Sequence, residues 1–568
     1  MHSYEPRRTE TVFAYFVRHG PTCGAGSHYQ AAVLPGRKYR EASLTTDISH
    51  YSNWLALALS AGFLAVYFVG AIVSRLTISS RGNTVRSFNL ALPSFEPPGE
   101  LFAISLVSAA TTLSTVIVLF LTSSSVYGFH LLICPLTFAV GTMLAIRTYQ
   151  RIAQHGYMDG SNGSGLLPRF AYSFTESKVV AAVVAATSVL PLVAILVLEL
   201  RFGVLLLGTV LQQGMSPYGL VAALCFLVML LGYVYVGGFR AVVTSDIWQY
   251  RTMTAGLGIV FLGLLSVGLH SHGLNWLVLA HLTSADPLPH AAGGLQLPGR
   301  GLLSFYVTVC VINLFGPMCL ATSWQRFYAF HGRAMNVQHA AYSTVRKAIT
   351  LWGIIIGIGI LSQALSAQQR TGRASEDLIQ VVSFIQKGPV GAAAAAVWFP
   401  YFVFPILILS VFSGMYSSSD TCVSALLYLI ESARRQDTAA QSRPPGKKYY
   451  LAMAVLFLLS LTIYWVVADP TNNVLGLENI AVQVFGNAAL VAPTVLLMSY
   501  RRPERSPLQR HFRSIAIITS ILMGFASFWV FYFLRGPFQQ WATLAGISGA
   551  AVPIGLLVAR DALLRKVN

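Results

Sequence analysis

Apolar residues gather into about thirteen long stretches between Trp54 and Arg560, parted by short polar connections. A hydrocarbon layer about 30 Å thick takes roughly twenty apolar residues per helical crossing, and lipid leaves no backbone amide unpaired, so each stretch predicts a transmembrane helix. The spans fall near 53–76, 100–122, 127–147, 177–198, 217–237, 247–269, 302–325, 347–367, 395–430, 449–467, 474–499, 513–534 and 541–560. The predicted fold class is therefore an all-α polytopic membrane protein.

Composition agrees. With 55% hydrophobic and only 10% charged residues, the chain cannot cover itself with a conventional polar surface in water. A net charge of +18 would suggest nucleic acid in a soluble protein; in a membrane protein the placement of the cations matters instead. Lys and Arg crowd alternate loops, while the opposite loops hold only Arg201, Arg300, Arg370, Arg373, Lys387 and Arg535. By the positive-inside rule this predicts a cytoplasmic C-terminus in a plasma (inner) membrane. An odd number of crossings then leaves the tail 1–50 outside despite its own arginines. That tail has no apolar core followed by a small-residue cleavage site, so it reads as a disordered segment and not as a signal peptide.

Several apparent motifs lose force in context. Arg18-His19-Gly20-Pro21-Thr22 has the pattern of a phosphohistidine motif, but too few polar residues precede the first crossing to build the α/β domain such chemistry needs. His270, His272, His281 and His290 are spaced irregularly among Gly and Pro, as in a solvated loop. Cys134, Cys225, Cys310, Cys319 and Cys422 are scattered within apolar stretches and read as packed thiols. No nucleophile, base and orienting acid come together to suggest an enzyme, and no Walker loop suggests ATP as an energy source.

Four segments carry a resemblance. Gly237 to Tyr250 reads GGFRAVVTSDIWQY, and its Gly237, Gly238, Arg240, Ala241, Val242, Asp246 and Gln249 match the signature of the sodium/solute symporter family, with Ser245 where threonine is usual. Paired glycines permit a tight reversal, here expected in a cytoplasmic connection, and an acid near a helix end attracts a cation. Ser410 to Cys422, SVFSGMYSSSDTC, resembles the family's serine-rich helix; Ser105 to Phe120 resembles the core of its first repeat helix; and Asn313 to Phe330 resembles its Gln-Arg helix, with Gly316-Pro317 as the expected break. The glycines that usually follow the first-helix core are replaced by Val118, Leu119, Phe120 and Leu121, which predicts a shorter or displaced break there.

The resemblance covers about residues 50–560 and implies a leucine-transporter-type fold with five-plus-five inverted repeats. It divides the chain into the tail 1–50, a leading helix and loop 51–99, a first repeat 100–270, an extracellular loop 271–301, a second repeat 302–500 and two trailing helices with a short tail in 501–568. It implies a sodium site from the carbonyls of Ala110, Leu113 and Gly414 and the hydroxyls of Ser417 and Ser418, with Asp246 and Asp420 on the ion path. Thr112, Ser114, Val116, Phe120, Asn313, Phe315 and Gly316 would line the solute pocket.

The implied activity is uptake of a small polar organic solute driven by inward sodium movement through alternating access. No cofactor is expected beyond sodium, the only metal, and no partner beyond solute and lipid bilayer; oligomeric state is not legible. A proton-driven cycle through Asp420 and a membrane sensor on the same scaffold are the alternatives. The resemblance leaves the solute open among sugars, amino acids, vitamins, monocarboxylates and inorganic anions; because a broken helix offers free amides at its N-terminus, an acid or amino acid is favoured among them.

Overall fold

The computed structural model describes residues 35–79, 98–154, 167–211, 218–272, 300–330, 337–365, 374–388, 398–434, 486–501, 506–534 and 541–567, with a few isolated positions between 455 and 462. The chain divides into two units, Met1–Asp47 and Ile48–Asn568, and the second holds every described helix from Pro98 onward. The leading helix, Pro35–Ser79, starts inside the stretch assigned to the tail. The motif Arg18–Thr22, the histidines 281 and 290, and nearly all of the expected span 449–467 lie outside the described residues.

Among the described residues eight helices are long and apolar enough to cross a membrane, and ten if each of two sharply bent pairs counts as one span. Their outer faces carry exposed Val66, Val69, Leu262, Leu522 and Leu556, the side chains a lipid-facing surface requires. The chain is an all-helical polytopic membrane protein. The two bent pairs are Gly99–Ala110 with Leu113–Ser124, turning by 68°, and Tyr306–Cys319 with Ala321–Phe330, turning by 47°. They lie where the sequence predicts crossings near 100–122 and 302–325.

The second break falls at Leu320, three residues beyond Pro317, and not at the Gly-Pro pair itself. Leu320 still bonds back to the Gly316 carbonyl at 3.0 Å, so the helix survives its proline and ends just after it.

The Gly-Gly signature also departs from expectation. A helical stretch runs Tyr218–His272 and turns at Gly238, whose φ of 61° and ψ of −166° are open only to glycine. Two expected crossings thus meet at one residue without an intervening loop, and the rest of the signature is helical. Gly237 serves a second purpose: a Cβ there would come within 2.9 Å of the Cβ of Ala71 on the leading helix.

The serine-rich helix, Phe404–Arg434, is the hub. It packs along the kinked helix and along the helix Lys178–Leu211, where Gly203 lies directly against the Met415 sulfur. The first half of the broken helix runs between the kinked helix and the helix Val337–Leu365. Its start is tied to the latter by Glu100, which pairs with Lys347 at 2.6 Å and Arg346 at 3.1 Å.

Gly238→Ala forces a side chain into the glycine-only region and should cost about 1–3 kcal/mol. Thermal unfolding in detergent should show a lower midpoint, whereas an unchanged midpoint would mean that the turn tolerates an L-residue.

Candidate functional site

The first break begins with Thr112, which is extended at φ −74° and ψ 145°. A helix restarting there has amides with no preceding carbonyl to meet, and burial makes each one costly if left unpaired. Each is paired. The Thr112 hydroxyl accepts from the amides of Thr115 at 3.3 Å and Val116 at 3.1 Å, an N-cap made by a β-branched residue. Leu113 and Ser114 donate their amides to the carboxylate of Glu199 at 3.0 and 2.9 Å, and the Ser114 hydroxyl adds a bond of 2.5 Å. One π-helical turn, Leu113–Ile117, follows before the α-helix resumes at Val118.

This explains how the chain unwinds without the missing glycines. Threonine supplies the cap, and a carboxylate from another helix stabilises the amides that glycine would only have made easier to expose. Because the amides of Leu113, Ser114 and Thr115 bond elsewhere, the carbonyls of Ala109, Ala110 and Thr111 are released from the helical ladder. Of the carbonyls expected at an ion site, Ala110 is so released, while Leu113 accepts the Val118 amide.

The released end faces the serine-rich helix at Gly414, where a Cβ would lie 3.2 Å from the Thr111 carbonyl oxygen and 2.6 Å from Ile117 Cδ1. Glycine is what lets the two backbones meet. Ser418, one turn on, donates to the carbonyls of Gly414 at 3.1 Å and Met415 at 3.2 Å, and it flanks Glu199. Ser417 donates to Asp246 at 2.8 Å and lies 2.8 Å from the Ser108 hydroxyl of the first half-helix. The structure thus gathers Ala110, Gly414, Ser417 and Ser418 at the break and adds Thr111 and Glu199.

A second polar knot lies beside it. Asp246 and Arg326 are both fully buried and bonded at 2.8 Å. The guanidinium also donates to Ser105 at 2.8 Å, Thr421 at 2.9 Å and the Thr322 carbonyl at 3.1 Å, and Ser105 donates in turn to Asp246 at 2.5 Å. Asp246, for which the sequence predicts an acid near a helix end on the ion path, belongs to a buried network joining four helices. Arg326 is its cationic centre. Asp420 accepts from Ser245 at 3.0 Å with one oxygen, and its other oxygen is buried with no hydrogen-bond partner among the described residues.

The expected solute contacts separate into two groups. Phe120 is packed in the core with its ring 5.5 Å from Trp352, whose indole donates to the Thr111 hydroxyl at 2.9 Å. Thr112 and Ser114 spend their polar groups on the break. Val116, Asn313 and Phe315 are half-buried, Asn313 donating to the Val309 carbonyl at 2.9 Å, and Gly316 is buried with open space where a Cβ would point. Among the described residues no group of three or more His, Cys, Asp or Glu side chains could hold a metal ion. All five described cysteines are free.

Removing one partner of the buried pair leaves an uncompensated charge. Arg326→Gln or Asp246→Asn alone should lower unfolding free energy by about 3–5 kcal/mol, and the double variant by clearly less than the sum. Simple additivity in denaturant titrations would mean that the pair is not coupled.

No family model and no curated protein sequence matches the chain. Solved structures do. A substrate-bound, outward-open Na+-coupled sialic acid symporter superposes with a TM-score of 0.58 at 13% identity, covering 88% of this chain and 98% of its own. A manganese transporter of Eremococcus coleocola gives 0.49 at 13% identity, over 85% and 100% of the two chains. The nucleobase-cation-symport-1 family transporter Mhp1, in a closed conformation, gives 0.45 at 13%, over 82% and 93%. The chain shares the leucine-transporter-type fold of the sialic acid symporter.

Proposed function

We propose that this chain is a secondary active transporter that couples inward sodium movement to uptake of a small polar organic solute. What carries the reading is the meeting of a capped helix break with the glycine and serines of the facing helix. Released carbonyls of Ala110 and Thr111, the Gly414 carbonyl and the hydroxyls of Ser417 and Ser418 offer hard, uncharged oxygens to a monovalent cation. The fold shared with a Na+-coupled symporter supports the same reading. In it the protein lies in the plasma (inner) membrane with a cytoplasmic C-terminus, as the loop charges favour.

Coupling follows from position. A cation between the broken helix and the serine-rich helix ties two elements that must separate when the inner side opens, so its binding favours one end of the conformational equilibrium. One charge crossing 100 mV supplies about 2.3 kcal/mol, more than tenfold accumulation of a neutral solute per ion. A proton-driven cycle is the second reading, favoured by the buried, unpartnered oxygen of Asp420.

Uptake of a radiolabelled solute panel into vesicles, with sodium stepped at fixed pH and pH stepped at fixed sodium, separates the two. Sodium dependence is expected. Ser418→Ala should raise the sodium concentration for half-maximal uptake about tenfold, the worth of one ligand hydroxyl. Unchanged sodium dependence in both Ser417→Ala and Ser418→Ala would remove the ion site.

A further inference from the structure

In an unbroken helix the amides of Leu113 and Ser114 would bond to the carbonyls four residues back, those of Ala109 and Ala110. Here both amides turn to Glu199, at 3.0 and 2.9 Å, and the Ser114 hydroxyl adds a third bond. Each amide that Glu199 takes is one that a carbonyl loses. Ala109 and Ala110 are also the half-buried positions in an otherwise buried stretch, 101–115, so the freed carbonyls belong to the part of the broken helix that is accessible.

The place of Glu199 is itself built. It is fully buried on the helix Lys178–Leu211. One turn on, Gly203 lets this helix close on the serine-rich helix and lies directly against the Met415 sulfur. That approach sets Glu199 beside Ser418, three residues beyond Met415. Glu199 thus touches both walls of the candidate ion site, the amides behind the Ala110 carbonyl on one side and a hydroxyl ligand on the other. Its two oxygens are filled by protein donors, so it can shape the site without being a ligand.

We infer that Glu199 is a positioning residue for the coupling ion: by holding the amides of Leu113 and Ser114 it keeps the Ala110 carbonyl free to coordinate sodium. The inference rests on the sodium reading above and extends it to the helix Lys178–Leu211, which contributes none of the ligands named for that site. Withdrawing Glu199 lets the two amides close back on Ala109 and Ala110, which removes a ligand. A shift of its helix during the transport cycle would do the same and discharge the ion.

The test uses the full-length protein in lipid nanodiscs, with sodium and lithium binding read by thermal shift at constant ionic strength, N-methylglucamine replacing the metal ion. Glu199→Gln keeps the shape but offers one acceptor where two are needed, and should weaken sodium binding by about tenfold or more, the usual effect of losing a group that orients a metal ligand. Glu199→Asp keeps both acceptors on a shorter arm. It should shift the ratio of sodium to lithium affinity, because the carbonyl moves, and it covers the case in which the amide variant does not fold. Glu100→Gln, at the far end of the same half-helix, removes a packing contact and should leave both affinities unchanged. An unchanged sodium-to-lithium ratio in Glu199→Asp, unchanged sodium binding in a folded Glu199→Gln, or equal weakening by Glu100→Gln would each overturn the inference and leave the transport reading standing. A wild-type protein whose melting point ignores sodium would overturn both.

Discussion

Unwinding a helix inside a membrane exposes amides that neither water nor lipid can satisfy, and everything around the first break answers that demand. Thr112 takes two of the amides and Glu199 two more, so the turn at residues 110–113 costs little in unpaired groups. Satisfying the amides in this way frees the carbonyls on the other side of the break. Those carbonyls, brought against Gly414, are the feature from which an ion site can be built.

The same economy governs the knot at Arg326. A guanidinium with no exposure is tolerated because its donors meet Asp246, Ser105, Thr421 and a carbonyl one turn away. The residues come from the broken helix, the kinked helix, the Gln-Arg helix and the serine-rich helix, so the network fixes the mutual register of four elements that apolar packing alone would leave free to slide. Glu100, with Lys347 and Arg346, holds the start of the first half-helix in the same way. Any motion of this half-helix against its neighbours must part both sets of contacts.

Much of this was legible in the chain, and the misses have physical causes. Hydropathy marks crossings, and the serine-rich and Gly-Gly segments marked the helices that meet at the site. Glu199 is not legible as a site residue in the sequence, because Leu198-Glu199-Leu200-Arg201 reads as the polar end of a span, whereas the helix continues to Leu211. An acid with an apolar run on both sides was the available signal. The break itself was expected to suffer from missing glycines, but glycine lowers only the local cost of unwinding, and hydrogen bonds from a distant helix can meet that cost instead.

By itself the sequence determined that this is a helical membrane protein, roughly where its crossings fall, and which helices hold the candidate polar residues, because apolar length and local motif are properties of contiguous residues. Only the tertiary structure decided that Gly238 joins two crossings directly, that Asp246 is bound to Arg326, and that Glu199 occupies the head of the broken helix. Those pairings join residues 80 and 86 positions apart, and no periodicity along one strand of sequence specifies which buried charge will meet which.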